Sequence, residues 1–501
     1  MSMLRQIRLS GIVVLAGALP GHAQISAEQV WTMWQDLSAN MGYSLTAETQ
    51  RRDGDRLVLE QVLAGTTTDI ATLRLPIAEI LMRDRGDGTV EVTMSPSIEL
   101  TMQVKEPDAD PVDMAMRLDQ EGYVAVVSGT PESPKVDFTA TSLTMSQIAP
   151  KVDGKEVPMT MSAILGGLRG STTLDRSAAT DITYDLTAET LDIGVDATNP
   201  ETGGTMRMEA RAQSLSGNFA GTLPQSMPQG AELPVLLNAG LRGNGGYIIG
   251  PMTFDFSIEE DGNTAKAQGT ASSAQVDIGM DPAGLRYSAG ATGLDITASG
   301  SAIPFPDFRV TASEYRLGLT LPLTKSEIPS DFGLLLRLAD LTLPEGVWAM
   351  IDPQGRLSRD PATVEVDATG KATLFEDLTS QAAQEPGATI GQFDALTINR
   401  LQAKAAGAEL TGQGAFIFDN SDMQTFPGIP RPAGTAELTL TGGNALLDNL
   451  LALGLVPQDQ LMGFRMMLAL FTRPGEGPDT LTSKIEMTPE GQILANGQRI
   501  Q

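Results

Sequence analysis

The sequence has no cysteine and one histidine, His22. We expect His22 to be removed with an N-terminal leader, so that the mature chain has neither thiolate nor imidazole. Ser-His-Asp and Cys-His nucleophiles, most zinc sites and c-type haem attachment are therefore excluded. The chain also lacks the motifs G-x-x-x-x-G-K-[ST], G-x-G-x-x-G and G-x-S-x-G, which excludes the usual nucleotide-binding loops and the nucleophile elbow of α/β-hydrolases.

Paired carboxylates, as in glycoside hydrolysis, are the catalytic chemistry that these absences leave available. Nothing in the pattern of acidic residues points to such a pair. We therefore expect no enzyme activity, no cofactor and no resident metal ion.

Aromatic residues make up only 5% of the chain, and 34 Lys and Arg are outnumbered by 62 Asp and Glu. The resulting formal charge of −28 repels phosphates, so nucleic acids and anionic lipid headgroups are unsuitable as electrostatically bound partners. Apolar residues make up 41% of the chain. The interior must therefore consist mostly of aliphatic and methionine side chains.

The chain starts with two arginines, an apolar stretch over residues 11–19, and a proline followed by small residues. This order is typical of a secretory signal peptide. We predict a signal peptide over residues 1–23, cleavage between Ala23 and Gln24, and a periplasmic mature chain over residues 24–501. About nine apolar residues are too few to span a bilayer. The mature chain is expected to have no transmembrane segment, and without cysteine it cannot be a lipoprotein.

The mature chain begins with a helical pattern and continues with strand patterns. Ser26 is a candidate N-cap, and Trp31 and Trp34 fall on one face of the predicted N-terminal helix, which we expect to dock on a sheet. From about Tyr43 onward, apolar and polar residues alternate, as in Leu191 to Val195, and turn signals separate the alternating segments. Alternation with period two indicates strands with one buried face. We predict a single mainly β domain over residues 24–501, an elongated, curved antiparallel sheet or a sandwich.

Helical patterns interrupt the strands near residues 158–168, within 331–351 and over 444–471. The last segment is the clearest, with apolar residues at helical spacing on both sides of Gly454 and Pro457. It predicts a C-terminal helical hairpin. We expect Leu450, Phe464 and Leu468 to be buried as a plug against the sheet, since the hairpin carries few cations for a membrane surface.

One motif combines a predicted helix stop with a strand start. It contains Trp348, Asp352 and Pro353 and then Arg359, Asp360 and Pro361. Trp348 would pack on the sheet, and Arg359 with Asp360 would form an ion pair that fixes the turn. We interpret these residues as structural, and a ligand clamp is the alternative.

This motif and the closing stretch from Leu455 to Ile500 resemble the signature ends of an uncharacterised envelope family of Gram-negative bacteria, domain of unknown function 2125. The resemblance covers chiefly the last third of the chain. It implies an exported protein without a known activity. The pattern of alternating strands separated by glycine-containing turns is also similar to that of the long curved sheets of bacterial intermembrane lipid-transfer proteins. This likeness is at the level of fold alone.

Two kinds of function remain after these exclusions. The first is an exported, non-enzymatic envelope protein that binds or carries a lipid or other amphipathic component along an apolar sheet face. The second is a periplasmic scaffold for envelope proteins, without a small-molecule ligand. The two differ in whether the aliphatic side chains of one sheet face stay exposed as a continuous groove, because soluble proteins seldom leave large apolar patches bare.

Overall fold

The structure is a computed structural model, and it describes residues 25–40, 42–68, 71–104, 112–152, 155–156, 158–177, 179–224, 232–301, 303, 308–380 and 382–500. The predicted signal peptide and its cleavage site between Ala23 and Gln24 lie outside the described residues.

Short helices accompany a large sheet in the described part of the chain. The helices are α1 Ala27–Asn40, α2 Leu233–Asn238, α3 Glu345–Ile351, α4 Gly443–Ala452, α5 Gln458–Phe471 and the 3₁₀ helix Ala382–Gln384. Strands β1 to β10 are Ser44–Asp53, Arg56–Thr67, Ala71–Asp84, Val90–Met94, Ser97–Val104, Val112–Glu121, Val124–Gly129, Pro134–Val152, Lys155–Glu156 and Met159–Asp175. Strands β11 to β20 are Thr180–Ala188, Thr190–Thr198, Thr205–Ala212, Leu215–Leu223, Arg242–Ile249, Met252–Glu260, Asn263–Ala271, Ser273–Asp281, Gly284–Ser299 and Phe308–Leu321. Strands β21 to β29 are Ser330–Leu341, Ala362–Leu374, Gly391–Ala405, Ala408–Asp419, Arg431–Thr441, Arg473–Pro474, Thr480–Met487, Ile493–Ala495 and Gln498–Arg499.

All of these strands belong to one antiparallel sheet that follows the chain as a meander. Many strands are broken once near the middle, so that two short strands lie in line and pair with one long neighbour; β11 and β12, for example, both pair with β10. We call each long strand, or each such pair in line, a rung. The predicted elongated antiparallel sheet with an N-terminal helix and a C-terminal helical hairpin is confirmed.

The register of the rungs separates apolar from charged side chains. Val195 lies opposite Met208, and Met208 lies opposite Phe256. On the other side of the same strands, Asp192 lies opposite Arg211 and contacts its guanidinium at 3.4 Å. Because successive side chains of a strand point to opposite faces, this register produces one apolar face and one polar face along the sheet.

A crease runs across the middle of the rungs and bends the sheet toward its apolar face. Gly122, Gly167 and Gly293 lie on the crease with φ between +61° and +63°, a conformation that costs a side-chain-bearing residue about 1–2 kcal/mol. Small side chains let the two halves approach at the bend. Alanines immediately before the crease are buried on six rungs: Ala140, Ala188, Ala212, Ala271, Ala312 and Ala339.

Side chains from both halves of the sheet meet inside the bend. Leu143 and Leu165, on one side of the crease, pack against a buried cluster that includes Leu168, Leu186 and Leu215 on the other side. The apolar faces of the two halves therefore line one shared trough.

The N-terminal helix closes one end of this trough. Trp31 is 3% exposed, and Val30 and Leu59 are fully buried in a cluster formed by α1 and the apolar face of the first rungs. At the start of the helix, the backbone N–H of Ala27 donates to the Asp84 carboxylate at 2.9 Å. The prediction that the tryptophan face docks this helix on the sheet is confirmed, because Trp34 also packs against the cluster.

Among the described residues, no element covers the remaining rungs as α1 covers the first ones, and many of their apolar side chains are exposed. The structure is therefore an open sheet rather than a closed sandwich.

One predicted helical segment, 158–168, is wrong, and the segment 331–351 is helical only in its second part, over Glu345–Ile351. Residues 159–168 lie in β10, where Leu165 and Leu168 both face the trough because the crease at Gly167 shifts the strand's alternation. A spacing of three between leucines on the same face, one partly buried and one buried, thus imitates a helix. Residues 331–338 lie in β21, and of the predicted segment 331–351 only α3 is helical.

The C-terminal hairpin is present as α4 and α5, but the prediction that it forms a buried plug is wrong. Leu461 is buried, whereas Leu450 and Leu468 are only half-buried and Phe464 is 46% exposed. Helical periodicity indicates an apolar helix face but not which element covers that face.

Candidate functional site: an open apolar trough

The walls of the trough consist of aliphatic, methionine and a few aromatic side chains in register. On one side of the crease, Ile278 lies opposite Gly245 and Tyr287, and Tyr287 lies opposite Leu319. On the other side, Phe254 lies opposite Ala210 and Gly269. Each rung therefore adds side chains of the same chemistry at the same height, as expected for cross-strand neighbours.

Much of this apolar surface is open to solvent. Ile278 is 53% exposed and Phe393 is 55% exposed, although both point to the apolar face. The other large exposed side chains of this face are Met145, Met161, Phe219, Tyr247, Ile258, Val276, Tyr315, Leu334, Leu336 and Val364. Contiguous exposure on this scale is unusual for a soluble monomer and marks an interaction surface.

Glycines let aromatic rings lie flat on the lining. A Cβ at Gly217 would come within 2.6 Å of the Tyr247 ring, and a Cβ at Gly221 would come within 2.7 Å of the Phe219 ring. The rings occupy the space that these side chains would take. The lining is consequently smooth, with few directional groups.

The trough is long in the direction across the strands. From β8 to β27 the meander has fourteen rungs, and thirteen steps of about 4.8 Å give a length of about 60 Å. This is about twice the roughly 30 Å hydrocarbon thickness of a bilayer. Several acyl chains would fit in line.

Charged side chains pair with one another on the polar face. Arg337 contacts Glu314 at 2.7 Å and also contacts Glu365, which accepts from Arg400 at 3.0 Å. A hydrogen bond from Arg309 holds the pKa of the Asp295 carboxyl below its ordinary value. These ion pairs thus lie on the opposite face from the trough.

A shallow depression of about 440 Å³ lies on the polar face, lined in part by Asn218, Asn244 and Asp277. The hydroxyl of Ser288 donates to Asp277 at 3.2 Å, and Arg286 binds Asp281 at 2.6 Å. Its charged groups are therefore engaged with their neighbours. Among the described residues, no three Asp, Glu or His side chains converge as a metal site would require.

The predicted motif forms one loop around a buried carboxylate. Asp352 is 0% exposed and accepts hydrogen bonds from the backbone N–H groups of Arg356 at 2.9 Å and Leu357 at 2.7 Å. Arg359 adds a contact at 3.3 Å. Desolvation acts to raise the pKa of the Asp352 carboxyl, but these backbone hydrogen bonds and the Arg359 charge outweigh it, so the pKa lies below its ordinary value.

The predicted ion pair between Arg359 and Asp360 is wrong. Arg359 pairs with Asp352 and Glu345, and its guanidinium lies 5.1 Å from the centre of the Trp348 ring. Asp360 instead accepts a hydrogen bond from the Ser358 hydroxyl at 2.7 Å. The buried carboxylate attracts the arginine more strongly because it is surrounded by donors and little water.

Two prolines of the motif end and start elements. Pro353 is exposed and follows the end of α3 by two residues, and Pro361 immediately precedes β22. Among the described residues, the hydrogen bonds and ion pairs of the loop side chains Asp352, Ser358 and Arg359 are made to other loop residues or to α3. The structural interpretation of the motif stays a prediction.

Residues 246–493 match the model of a family described as "Uncharacterized protein conserved in bacteria (DUF2125)". This half of the chain belongs to that family. The match is longer than the last third that the motifs alone indicated. No curated protein and no solved structure matches the chain.

The DUF2125 region begins within β15 and ends in β28, so it contains most of the exposed walls, the Asp352 loop and the helical hairpin. The cluster under α1 lies outside it. Within the part of the chain that the structure describes, no helix combines the length and the apolar character needed to cross a bilayer.

Sequence reasoning missed the crease. Its signal is a glycine or polar residue near the middle of several rungs, such as Gly167 beside Glu189 or Ser313, whose hydroxyl donates to Asp340 at 2.7 Å. These positions align only after the strands are paired. A search for small or polar residues at mid-strand on successive strands would have found them.

Proposed function

We propose that the protein binds acyl chains of neutral or zwitterionic envelope lipids along the trough, as an exported carrier without catalytic activity. The observation that supports this proposal is the continuous exposure of the apolar face beyond the cluster that α1 covers. A groove with few hydrogen-bonding groups suits flexible hydrocarbon better than sugars or planar polar ligands.

Burial of hydrocarbon supplies the driving force. An acyl chain that buries about 300 Å² against the walls gains on the order of 7 kcal/mol at roughly 25 cal/mol per Å² before the costs of binding. Three aligned side chains, Ile278, Tyr287 and Leu319, provide such surface without any chemical step.

The charge of the chain sets the preferred headgroup. Removal of Arg5 and Arg8 with the predicted leader leaves 32 basic and 62 acidic residues, a charge of −30. This charge disfavours strongly anionic headgroups at low salt. Neutral and zwitterionic lipids should therefore copurify in preference.

Two substitutions of equal exposure test the proposal. Ile278 lies in β18 on the apolar face and is 53% exposed. Ile248 lies in the neighbouring strand β15 on the polar face and is 54% exposed. Ile278→Asp should reduce binding of a fluorescent fatty acid at least tenfold, because it places a carboxylate in the trough, whereas Ile248→Asp should leave binding unchanged.

Lipid extraction and native mass spectrometry of the purified chain supply the direct readout. We expect lipid above the level of a mock purification, and less of it in Ile278→Asp than in Ile248→Asp. Absence of lipid together with no binding of the fluorescent fatty acid would contradict the proposal and favour a scaffold for envelope proteins.

A further inference from the structure

The hairpin of α4 and α5 presents an apolar surface to solvent at the end of the chain farthest from α1. Met462 is 63% exposed and Met466 is 72% exposed. Together with Leu470 they follow one helix face at a spacing of four residues, and Met467 and Leu455 extend the exposed surface. We call these five side chains the hairpin patch.

The hairpin is held firmly to the last rungs although its patch is uncovered. At the start of α4, the Asp479 carboxylate accepts from the backbone N–H groups of Asn444 and Ala445. At the end of α5, the Phe471 carbonyl accepts from the Ser483 hydroxyl at 2.7 Å and from the Asn496 amide at 2.9 Å. Both ends of the hairpin are therefore fixed, and the patch is a stable surface rather than a frayed terminus.

Two of the three charged residues of α4 and α5 pair with each other, and the third, Asp459, lies in the first turn of α5 and is not part of the patch. Arg465, the one basic residue of the two helices, is paired with Asp448. Residues 450–457, which form the tip, contain no charged side chain. Flexible methionines and leucines without directional groups suit fluid hydrocarbon.

The base of the hairpin is continuous with the trough. A Cβ at Gly443, the first residue of α4, would lie 2.5 Å from the side chain of Leu440. Leu440 belongs to the apolar face, opposite Leu410 and Leu481. An acyl chain at the hairpin would thus meet the trough without crossing a polar surface.

A second apolar helix leaves the same edge of the sheet. Because neighbouring rungs are antiparallel, the connections after β21 and after β25 emerge on the same side. The first connection contains α3, where Met350 is 72% exposed and Ile351 is 40% exposed. Two helices with exposed apolar side chains therefore lie along this edge, four strand spacings or about 19 Å apart.

We infer that the hairpin patch docks on the surface of a lipid bilayer of low net charge and brings the open end of the trough to it. This inference rests on the proposed function, because it identifies the source from which the trough takes acyl chains. The patch enters the interfacial region of one leaflet, and the bilayer is not spanned.

Vesicle flotation tests the inference with a matched pair of variants. The probe is a phosphatidylcholine vesicle, and the protein is the purified chain with its N-terminus identified by mass spectrometry. Met466→Asp combined with Leu470→Asp should reduce the floated fraction at least fivefold. Ile328→Asp should not, since Ile328 is 76% exposed in the connection between β20 and β21 at the opposite edge of the sheet.

Binding of a soluble fluorescent fatty acid separates the two proposals. The hairpin variant should bind it as the unchanged chain does, whereas Ile278→Asp should float normally and lose fatty-acid binding. Failure of the unchanged chain to float, or equal flotation of the hairpin variant, would overturn membrane docking while leaving trough binding in place. A drop from dimer to monomer mass in the hairpin variant would assign the patch to a second copy and also overturn it.

Discussion

The contrast between the sealed and open ends of the trough predicts very different costs for the same substitution. Leu59 and Leu334 both point to the apolar face from the middle of a strand. Leu59 is fully buried beneath α1, and Leu334 is 44% exposed. Replacement of each by alanine removes the same atoms from two environments.

The magnitudes follow from burial. Leu59→Ala leaves a cavity between α1 and the sheet. Replacement of a fully buried leucine by alanine lowers the free energy of unfolding by about 3–5 kcal/mol. Leu334→Ala removes a side chain that is already partly hydrated, and water fills the gap. Its cost should be about 1 kcal/mol, roughly half the transfer free energy of a fully buried leucine.

Hydrogen exchange measured by mass spectrometry on delipidated protein, alongside urea unfolding, checks these values. Delipidation is necessary because a bound ligand stabilises the native state by mass action, and local exchange is necessary because a meander of rungs need not unfold as one unit. A loss of about 3 kcal/mol for Leu334→Ala would refute the reasoning, since it would mean that the apolar wall is covered in solution.

Further predictions concern acid sensitivity, the crease and export. Because the folded-state pKa of Asp352 is depressed, its contribution is present above about pH 4 and is lost as the pH falls through that lowered pKa. Asp352→Asn should therefore lower the free energy of unfolding at pH 7. The difference in stability between the variant and the unchanged chain, measured by urea midpoints, should become smaller near pH 3; a difference independent of pH would contradict this. Gly167→Val should cost about 1–3 kcal/mol because of its positive φ, and Glu189→Ala should not rescue it, since relief of the side-chain contact leaves the backbone strain. N-terminal sequencing of the periplasmic fraction should give Gln24, and an intact leader in the cytoplasm would reject export.

The repetitive part of the fold was accessible from the sequence because strand alternation reports burial on one face directly. Leu191, Ile193 and Val195 illustrate this, since each lies on the apolar face where the pattern placed it. The alternation is obscured where apolar side chains also occur on the polar face. In β21 the run Leu334, Leu335 and Leu336 hides the alternation because Leu335 lies on the polar face beside a shallow depression.

The candidate site was harder to predict from the sequence, because the exposure of a sheet face depends on whether another part of the chain covers it. The sequence predicted aliphatic rows suited to a groove but also a hairpin plug that would have covered part of it. Amphipathic spacing in α5 is equally compatible with a buried helix and with one whose Met462 and Met466 meet solvent. Tertiary placement, and not periodicity, distinguishes these two outcomes.

Because the crease recurs from rung to rung, the length of the trough is set by the number of rungs. Each described rung pairs with its neighbours, and several rungs repeat the same bend, with a buried alanine such as Ala212 or Ala271 beside it. Insertion or deletion of one β-hairpin would change the length by two rungs, about 10 Å, while the cross-section and both ends stay as they are. Evolution could thus match the span of such a protein to a distance by duplicating hairpins, much as repeat proteins change length without a new core.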